Sequence, residues 1–135
     1  MSYLIGIDVE AISDIKNIYT KHHKFVNKIL TAKEIYQLKK RKKKSFYTYL
    51  AGRFSAKESY SKATGYGISK HAAFKEIEIL DDEKGAPQIK IFGNSRISGM
   101  KNCLVSISHK TKLNLVMSEI LVEIEKNKNI NNIVS

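Results

Sequence analysis

A long stretch in the middle of the chain constrains the fold most, because its composition favours a helix from end to end. The segment 46–64 holds no proline and one glycine, and it is rich in residues with good helix propensity. Gly65 follows at once, and glycine readily takes the left-handed conformation that ends a helix. Small side chains would let other backbone segments approach this helix closely: Ala51, Gly52, Ser55, Ala56, Ser59, Ser61 and Ala63.

Shorter patterns on both sides predict the other elements. Thr31 and Glu34 have the spacing of a capping box, so a second helix is expected to begin there. Alternation of apolar and polar residues and turn signals predict a strand over 3–9, a helix over 11–21, a hairpin over 76–80 and 88–92, and a second hairpin over 103–109 and 113–123. We expect an antiparallel sheet packed on the long central helix, in one domain over 1–124. The polar segment 125–135 is expected to be a disordered tail.

The charge of the chain favours anionic partners without choosing among them. Lys and Arg number 24 against 13 Asp and Glu, so the formal net charge is +11. Such a surface attracts nucleic acid, anionic membranes, phosphorylated small molecules and acidic proteins. The run 39–44 is a basic cluster, which is either a solvated helix end or a docking patch.

Cysteine content and hydropathy indicate the compartment. The single cysteine, Cys103, excludes an intrachain disulfide and a cysteine-based metal site, which is typical of a reducing environment. No window approaches the roughly 20 apolar residues that cross a membrane. We therefore expect a cytoplasmic protein without a membrane partner.

Several charged residues are candidates for chemistry, and each also has a structural interpretation. Asp8 and Glu10 can offer oxygens to a hard cation such as Mg²⁺, or Asp8 can cap a helix. Helical periodicity places Glu58 and Lys62 on one face of the central helix, where they form either part of a site or a surface ion pair. His109 ends a strand, and a histidine in that place is more often structural.

Four blocks of the sequence, taken in order, resemble the holo-acyl-carrier-protein synthase family of phosphopantetheinyl transferases. The resemblance covers about residues 3–120, and its third block is the most specific. The blocks are Gly6–Val9, Phe25–Thr31 with Glu34, Leu50–Ala63 continuing through Gly65–Ile68, and Val105–His109.

The resemblance implies an α+β fold assembled as a homotrimer, with coenzyme A bound in clefts between subunits. The implied enzyme transfers 4′-phosphopantetheine from coenzyme A to a serine of an acidic acyl carrier protein, in fatty acid biosynthesis. It implies Mg²⁺ held by Asp8 and Glu58, and Lys62 as a third catalytic residue facing the pyrophosphate. The expected coenzyme A contacts are Arg53, Lys57, Lys62, Gly65, Gly67, Gly85, Pro87, Ser108 and His109.

Two other interpretations compete with this one. A small basic nucleic-acid-binding protein would explain the charge and the run 39–44, but it leaves Asp8 and Glu58 without a role. A transferase-like domain that serves a larger synthase, or has lost its activity, is the second. Retention of both carboxylates argues against lost activity, so we expect an active enzyme without specific nucleic-acid binding.

Overall fold

The computed structural model of the protein describes residues 1–125, and within them five strands surround one long helix. The expected tail over 125–135 lies outside the described residues except for Glu125. The elements are β1 (Ser2–Ala11), α1 (Ile12–Lys21), α2 (Phe25–Ile29), α3 (Ala32–Lys39), α4 (Lys43–Thr64), β2 (Ile77–Asp81), β3 (Pro87–Ile91), β4 (Met100–Lys110) and β5 (Leu115–Ile124). Helices and antiparallel strands together make an α+β fold.

The strands form two antiparallel sheets rather than the single sheet that we expected. One sheet has the order β1-β5-β4, and the other is the β2–β3 hairpin. β3 and β4 are not hydrogen-bonded to each other, so the two sheets stay separate. A short 3₁₀ turn, Gly93–Ser95, lies between these two strands in the chain. In the larger sheet Ser118 of β5 lies opposite Asp8 on one side and Ile107 on the other.

The helix α4 begins three residues before the segment we predicted and ends where we predicted. Gly65 caps it in the left-handed conformation, with φ 79°. Close approach to β1 explains Gly6: a Cβ at that position would lie 1.9 Å from the carbonyl oxygen of Ser59. The hydroxyl of Ser118 lies 2.7 Å from that of Ser55 and 2.6 Å from that of Ser59, so small polar groups of α4 and β5 satisfy one another at this contact.

Two apolar clusters flank α4. The first lies between α4, the larger sheet and the hairpin, and includes Tyr60, Ile77, Ile79, Ile120 and Val122. The second lies between α4 and the short helices, and includes Ile15, Ile29, Leu30, Leu38 and Leu50. The capping box of α3 is confirmed, since Thr31 accepts from the Glu34 amide and Glu34 from the Thr31 amide. These contacts fix α4 between β1 and the smaller elements.

The outer face of the larger sheet is apolar and exposed. On β1 the side chains of Tyr3, Ile5, Ile7 and Val9 are between 49% and 59% exposed, and Leu104, Leu115 and Met117 extend this face over β4 and β5. A contiguous apolar surface of this kind is uncommon on monomers. Among residues 1–125 no helix is long and apolar enough to span a membrane.

Candidate active site

Asp8 is a buried carboxylate with one free oxygen. Strand alternation turns Ile7 and Val9 outward and Asp8 inward against α4, where the Asp8 side chain is only 6% exposed. Its Oδ1 accepts a hydrogen bond from Lys62 Nζ at 2.8 Å, whereas its Oδ2 is buried and has no hydrogen-bond partner. A buried acceptor without a partner costs about 1–3 kcal/mol, so this oxygen marks a place for a ligand.

Two further carboxylates share this region with Asp8. Partial burial, followed by the charge of Asp8, raises the pKa of Glu58, and Lys62 partly offsets the shift. Burial and then the neighbouring Asp8 carboxylate raise the pKa of Glu10 to about 7, with a contribution from Glu58. Burial is the larger cause of both shifts, and the charge of Asp8 adds to each, so the negative charge of this region is concentrated around Asp8.

The arrangement fits Mg²⁺ in one particular mode. Within residues 1–125 no group of three His, Cys, Asp or Glu side chains is placed to hold a metal ion alone. Magnesium, however, is usually bound by one or two carboxylates, with water and substrate phosphates completing its shell. The free Oδ2 of Asp8 and the carboxylate of Glu58 supply hard oxygen donors of the right kind, so these residues fit the ion.

The end of α4 leaves open space beside these acids. Lys62 has a side chain that is 54% exposed, so its charge reaches solvent while it contacts Asp8. Gly65 and Gly67 have φ values of 79° and 64°, and a Cβ on either would meet nothing within 4 Å. Both positions therefore need glycine for backbone conformation, and neither is blocked on the side where a ligand would lie.

A second group of predicted residues lines a cavity of about 500 Å³ beside the first half of α4. Arg53, Gly85 and His109 all line it, together with Arg41 and Lys44 of the basic run. Arg41 and Lys44 were not predicted as site residues, and their place in the basic run 39–44 was the signal that could have indicated them. None of Asp8, Glu58 and Lys62 lines this cavity.

Arg53 is held firmly in the wall of this cavity. Its Nε donates to the carbonyl of Ile79 at 2.9 Å, and its Nη2 pairs with Asp81 at 2.7 Å. The guanidinium also lies 4.0 Å from the centre of the Tyr49 ring. Since its Nε, its Nη2 and one face are already engaged, Arg53 is held in place and shapes the cavity.

The structure does not bring Lys57 to an open surface. Both Lys57 and Glu34 are fully buried, and Lys57 Nζ donates to Glu34 Oε1 at 2.6 Å, to the Ile29 carbonyl at 2.7 Å and to the Phe74 carbonyl at 2.9 Å. All three ammonium donors are therefore used. Burial lowers the pKa of Lys57, and Glu34 opposes that shift. The expected contact with coenzyme A is corrected to a structural role that joins α2, α3 and the segment before β2.

Two other predicted residues also lie outside the cavity lining. Ser108 is exposed, and strand alternation puts it on the same face of β4 as Leu104 and Ser106. Pro87 begins β3 opposite Asp81 and is partly buried. Of the expected contacts, the structure thus brings Lys62 to Asp8, leaves Gly65 and Gly67 just beyond the end of α4, and places Arg53, Gly85 and His109 at the cavity.

Comparison with known proteins adds an independent line of evidence. Residues 4–114 match the family model of the 4′-phosphopantetheinyl transferase superfamily. The holo-[acyl-carrier-protein] synthase of Oenococcus oeni is 53% identical over 125 residues, which cover 93% of this chain and 95% of that protein.

Solved structures agree with this match. A holo-(acyl-carrier-protein) synthase of Bacillus anthracis in complex with CoA (3′,5′-ADP) is 32% identical, with a TM-score of 0.77 over 90% of this chain and 96% of that one. The Helicobacter pylori holo-[acyl-carrier-protein] synthase in complex with coenzyme A is 29% identical, with a TM-score of 0.75 over 89% of this chain and 100% of that one. The likeness thus extends over nearly all of the described residues.

Proposed function

Because the chain belongs to the 4′-phosphopantetheinyl transferase superfamily, we propose that it acts as a holo-[acyl-carrier-protein] synthase. It would transfer 4′-phosphopantetheine from coenzyme A to a serine of apo-acyl carrier protein and release adenosine 3′,5′-bisphosphate, a step that serves fatty acid biosynthesis. The observation that carries the proposal is the buried Asp8 carboxylate, which has one oxygen on Lys62 and the other free, beside Glu58. The nucleic-acid-binding alternative finds no support in these relatives.

The carboxylates and Lys62 would divide the work at the pyrophosphate. Asp8 and Glu58 would hold Mg²⁺, and the bound ion would neutralise negative charge on the phosphates. Lys62 has a flexible stem and an exposed charge, so its ammonium can turn from Asp8 to a phosphate oxygen. There it would stabilise the negative charge that develops as the bond to the leaving group breaks. The open backbone at Gly65 and Gly67 would leave room for the phosphates.

The cavity beside α4 is the proposed site for the bisphosphate end of coenzyme A. Its volume of about 500 Å³ lies in the usual range of ligand pockets. Arg41, Lys44 and Arg53 outnumber Asp81, which pairs with both arginines at this cavity, and the remaining positive charge complements a 3′-phosphate. His109 and Gly85 line the same cavity. Ser108 and Pro87 do not line this cavity. They would contact coenzyme A only if the substrate extended beyond the cavity or bound against a neighbouring subunit.

The exposed apolar face of β1, β4 and β5 supports the homotrimer that the resemblance implied. Tyr3, Ile5, Ile7 and Val9 would become buried when identical sheets pack together, and each Ile or Val, already about half buried, would contribute about 1 kcal/mol. Subunits packed in this way would also bring a second chain near the site. Sedimentation equilibrium would test the assembly, and an Ile5→Glu variant that sediments like the wild type would argue against this face.

The basic surface supports an acidic carrier protein as the partner. The two would meet in the cytoplasm. The net charge of +11 would steer such a carrier to the enzyme before short-range contacts form. Exposed lysines near α1 and α2 add to this field: Lys16, Lys21, Lys24 and Lys28.

Intact-mass analysis of an apo-acyl carrier protein would test the function. Incubation with this protein, coenzyme A and Mg²⁺ should add the mass of phosphopantetheine to the carrier, and a chelator should prevent the gain. The matched variant Glu58→Gln keeps the shape of the side chain, so it should fold normally but transfer nothing. Wild-type turnover by that variant would refute the metal assignment, and no gain with several active carriers would refute the function.

A further inference from the structure

Lys62 is the cation that balances the buried acids. Its hydrogen bond to Asp8, and the charges of Asp8, Glu58 and Glu10, raise the pKa of Lys62 against a smaller effect of burial. The charge of Lys62 in turn lowers the pKa values of Glu10 and Glu58, opposing their upward shifts. Lys62 thus acts on all three acids, and its direct contact among them is the hydrogen bond to Asp8.

The hydrogen bond between Lys62 and Asp8 can be replaced by another partner of Asp8. Asp8 Oδ1 is taken by Lys62 at 2.8 Å, while Oδ2 of the same buried carboxylate has no partner. A buried carboxylate is unfavourable unless a positive charge accompanies it. Lys62 meets that need, yet more than half of its side chain is exposed, so it can withdraw without opening the core. By contrast, the fully buried Lys57 has all three donors bonded inside the protein and cannot withdraw in this way.

We propose that Lys62 is a place-holding cation, which compensates Asp8 until a divalent cation binds and which competes with that cation for the carboxylate. A metal ion bound to Oδ2 would place two positive charges beside an ammonium group that is hydrogen-bonded to Oδ1 of the same side chain, and the repulsion favours departure of Lys62. The binding of an anionic ligand that attracts Lys62 therefore strengthens metal binding, and the reverse is also true. The identity of that ligand as coenzyme A rests on the proposed function.

Metal affinity without any substrate gives the primary test. Free Mn²⁺ is measured by electron paramagnetic resonance in titrations of the wild type and of Lys62→Met, which keeps the length of the side chain and removes the charge. The variant should bind Mn²⁺ about two- to fivefold more tightly, since a half-exposed ion pair is worth roughly a kcal/mol at most. Lys101→Met removes an exposed charge at the far end of β4 and should leave the affinity unchanged. Equal or weaker binding by Lys62→Met would overturn the proposal.

Thermal stability separates this effect from a folding defect. Without metal, Lys62→Met leaves Asp8 uncompensated and should melt at a lower temperature than the wild type. Saturating Mg²⁺ should raise the melting temperature of the variant more than that of the wild type, because the ion replaces the missing charge. An equal rise in both proteins would contradict the place-holding role even if the variant is less stable.

Repeating the Mn²⁺ titration with saturating coenzyme A tests the coupling. Phosphate oxygens would tighten metal binding in both proteins, but the wild type should gain about two- to fivefold more than Lys62→Met, because only the wild type must release Lys62 from Asp8. An equal gain in the two proteins would overturn the coupling. If Lys62→Met binds Mn²⁺ more tightly and coenzyme A changes neither titration, the competition between Lys62 and the metal stands and the proposed function fails.

Discussion

Gly6→Ala tests whether the contact between β1 and α4 is as tight as the structure shows. The new Cβ would lie 1.9 Å from the carbonyl oxygen of Ser59 and 2.7 Å from the amide nitrogen of Ala63, where contacts below 3.0 Å essentially never occur. Both obstacles are backbone atoms of a helix, so neither can turn aside. β1 would have to move away from α4 by about 1 Å or more, which opens a core packed at the density of a crystal.

The expected cost follows from this displacement. Overpacking of a core usually costs about 1–3 kcal/mol even when side chains can adjust, and here none can. We therefore expect a loss of about 4 kcal/mol, which is a large part of the 5–15 kcal/mol that stabilises a typical domain. With a denaturant slope of about 2 kcal/mol per M, the urea midpoint should fall by about 2 M. Transfer activity should fall as well, because β1 carries Asp8.

Gly52→Ala, on α4 itself, is the matched control. A Cβ there would lie 3.3 Å from the Cγ2 of Ile107 and 3.8 Å from that of Val116, which are side-chain atoms with room to adjust. Alanine also gains up to about 1 kcal/mol of helix propensity over glycine. The urea midpoint of Gly52→Ala should thus stay within about 0.5 M of the wild type. A Gly6→Ala protein as stable as Gly52→Ala would refute the close approach of β1 and α4.

Three further predictions follow from charges in the structure. Lys57→Met should cost about 3–5 kcal/mol in urea unfolding because it leaves Glu34 buried without a partner, and the double variant with Glu34→Gln should recover part of this loss; additive effects would contradict the buried pair. The raised pKa of Glu10 means that the native state binds the extra proton, so this group's contribution to stability falls as pH rises from about 4.5 to 7; Glu10→Gln should melt above the wild type at pH 8, and the difference should vanish below pH 4.5. The transfer rate should fall steeply as the salt concentration rises from about 50 to about 300 mM, because the Debye length shortens over this range and charge steers an acidic carrier to this surface. A rate that does not change with salt would argue against steering.

Local signals explain why the sequence predicted most of the elements. The capping box of Thr31 and Glu34 and the left-handed Gly65 are decided within a few residues, and the structure has both where we expected them. The short helix α2 was missed, since five residues are too few to show a helical period. The β4–β5 and β2–β3 hairpins were predicted, but the split into two sheets was missed, because the pairing of β5 with β1 is a long-range property that the alternation within each strand does not encode.

The site was only partly predictable for a related reason. Helical spacing placed Glu58 and Lys62 on one face, which lies toward the surface in the structure, whereas Arg53 and Lys57, also four residues apart, are both buried. What spacing does not encode is which face meets the core. Glu34 decides it, because its buried carboxylate, far from α4 in the sequence, is the partner that makes burial of Lys57 tolerable.

Lys57 and Glu58 show how one helix can serve stability and chemistry at adjacent positions. A step of one residue turns the side chain by about 100° around the helix axis, which separates an ammonium group with three internal partners from a partly exposed carboxylate whose pKa the charge of Asp8 helps to raise. Fixing Lys57 between α2, α3 and the segment before β2 leaves α4 no freedom to rotate, and so it also fixes the direction of Glu58. Burial of Lys57 therefore does more than form a buried ion pair with Glu34. It holds α4 at one rotation about its axis, and so it sets the direction in which Glu58 points.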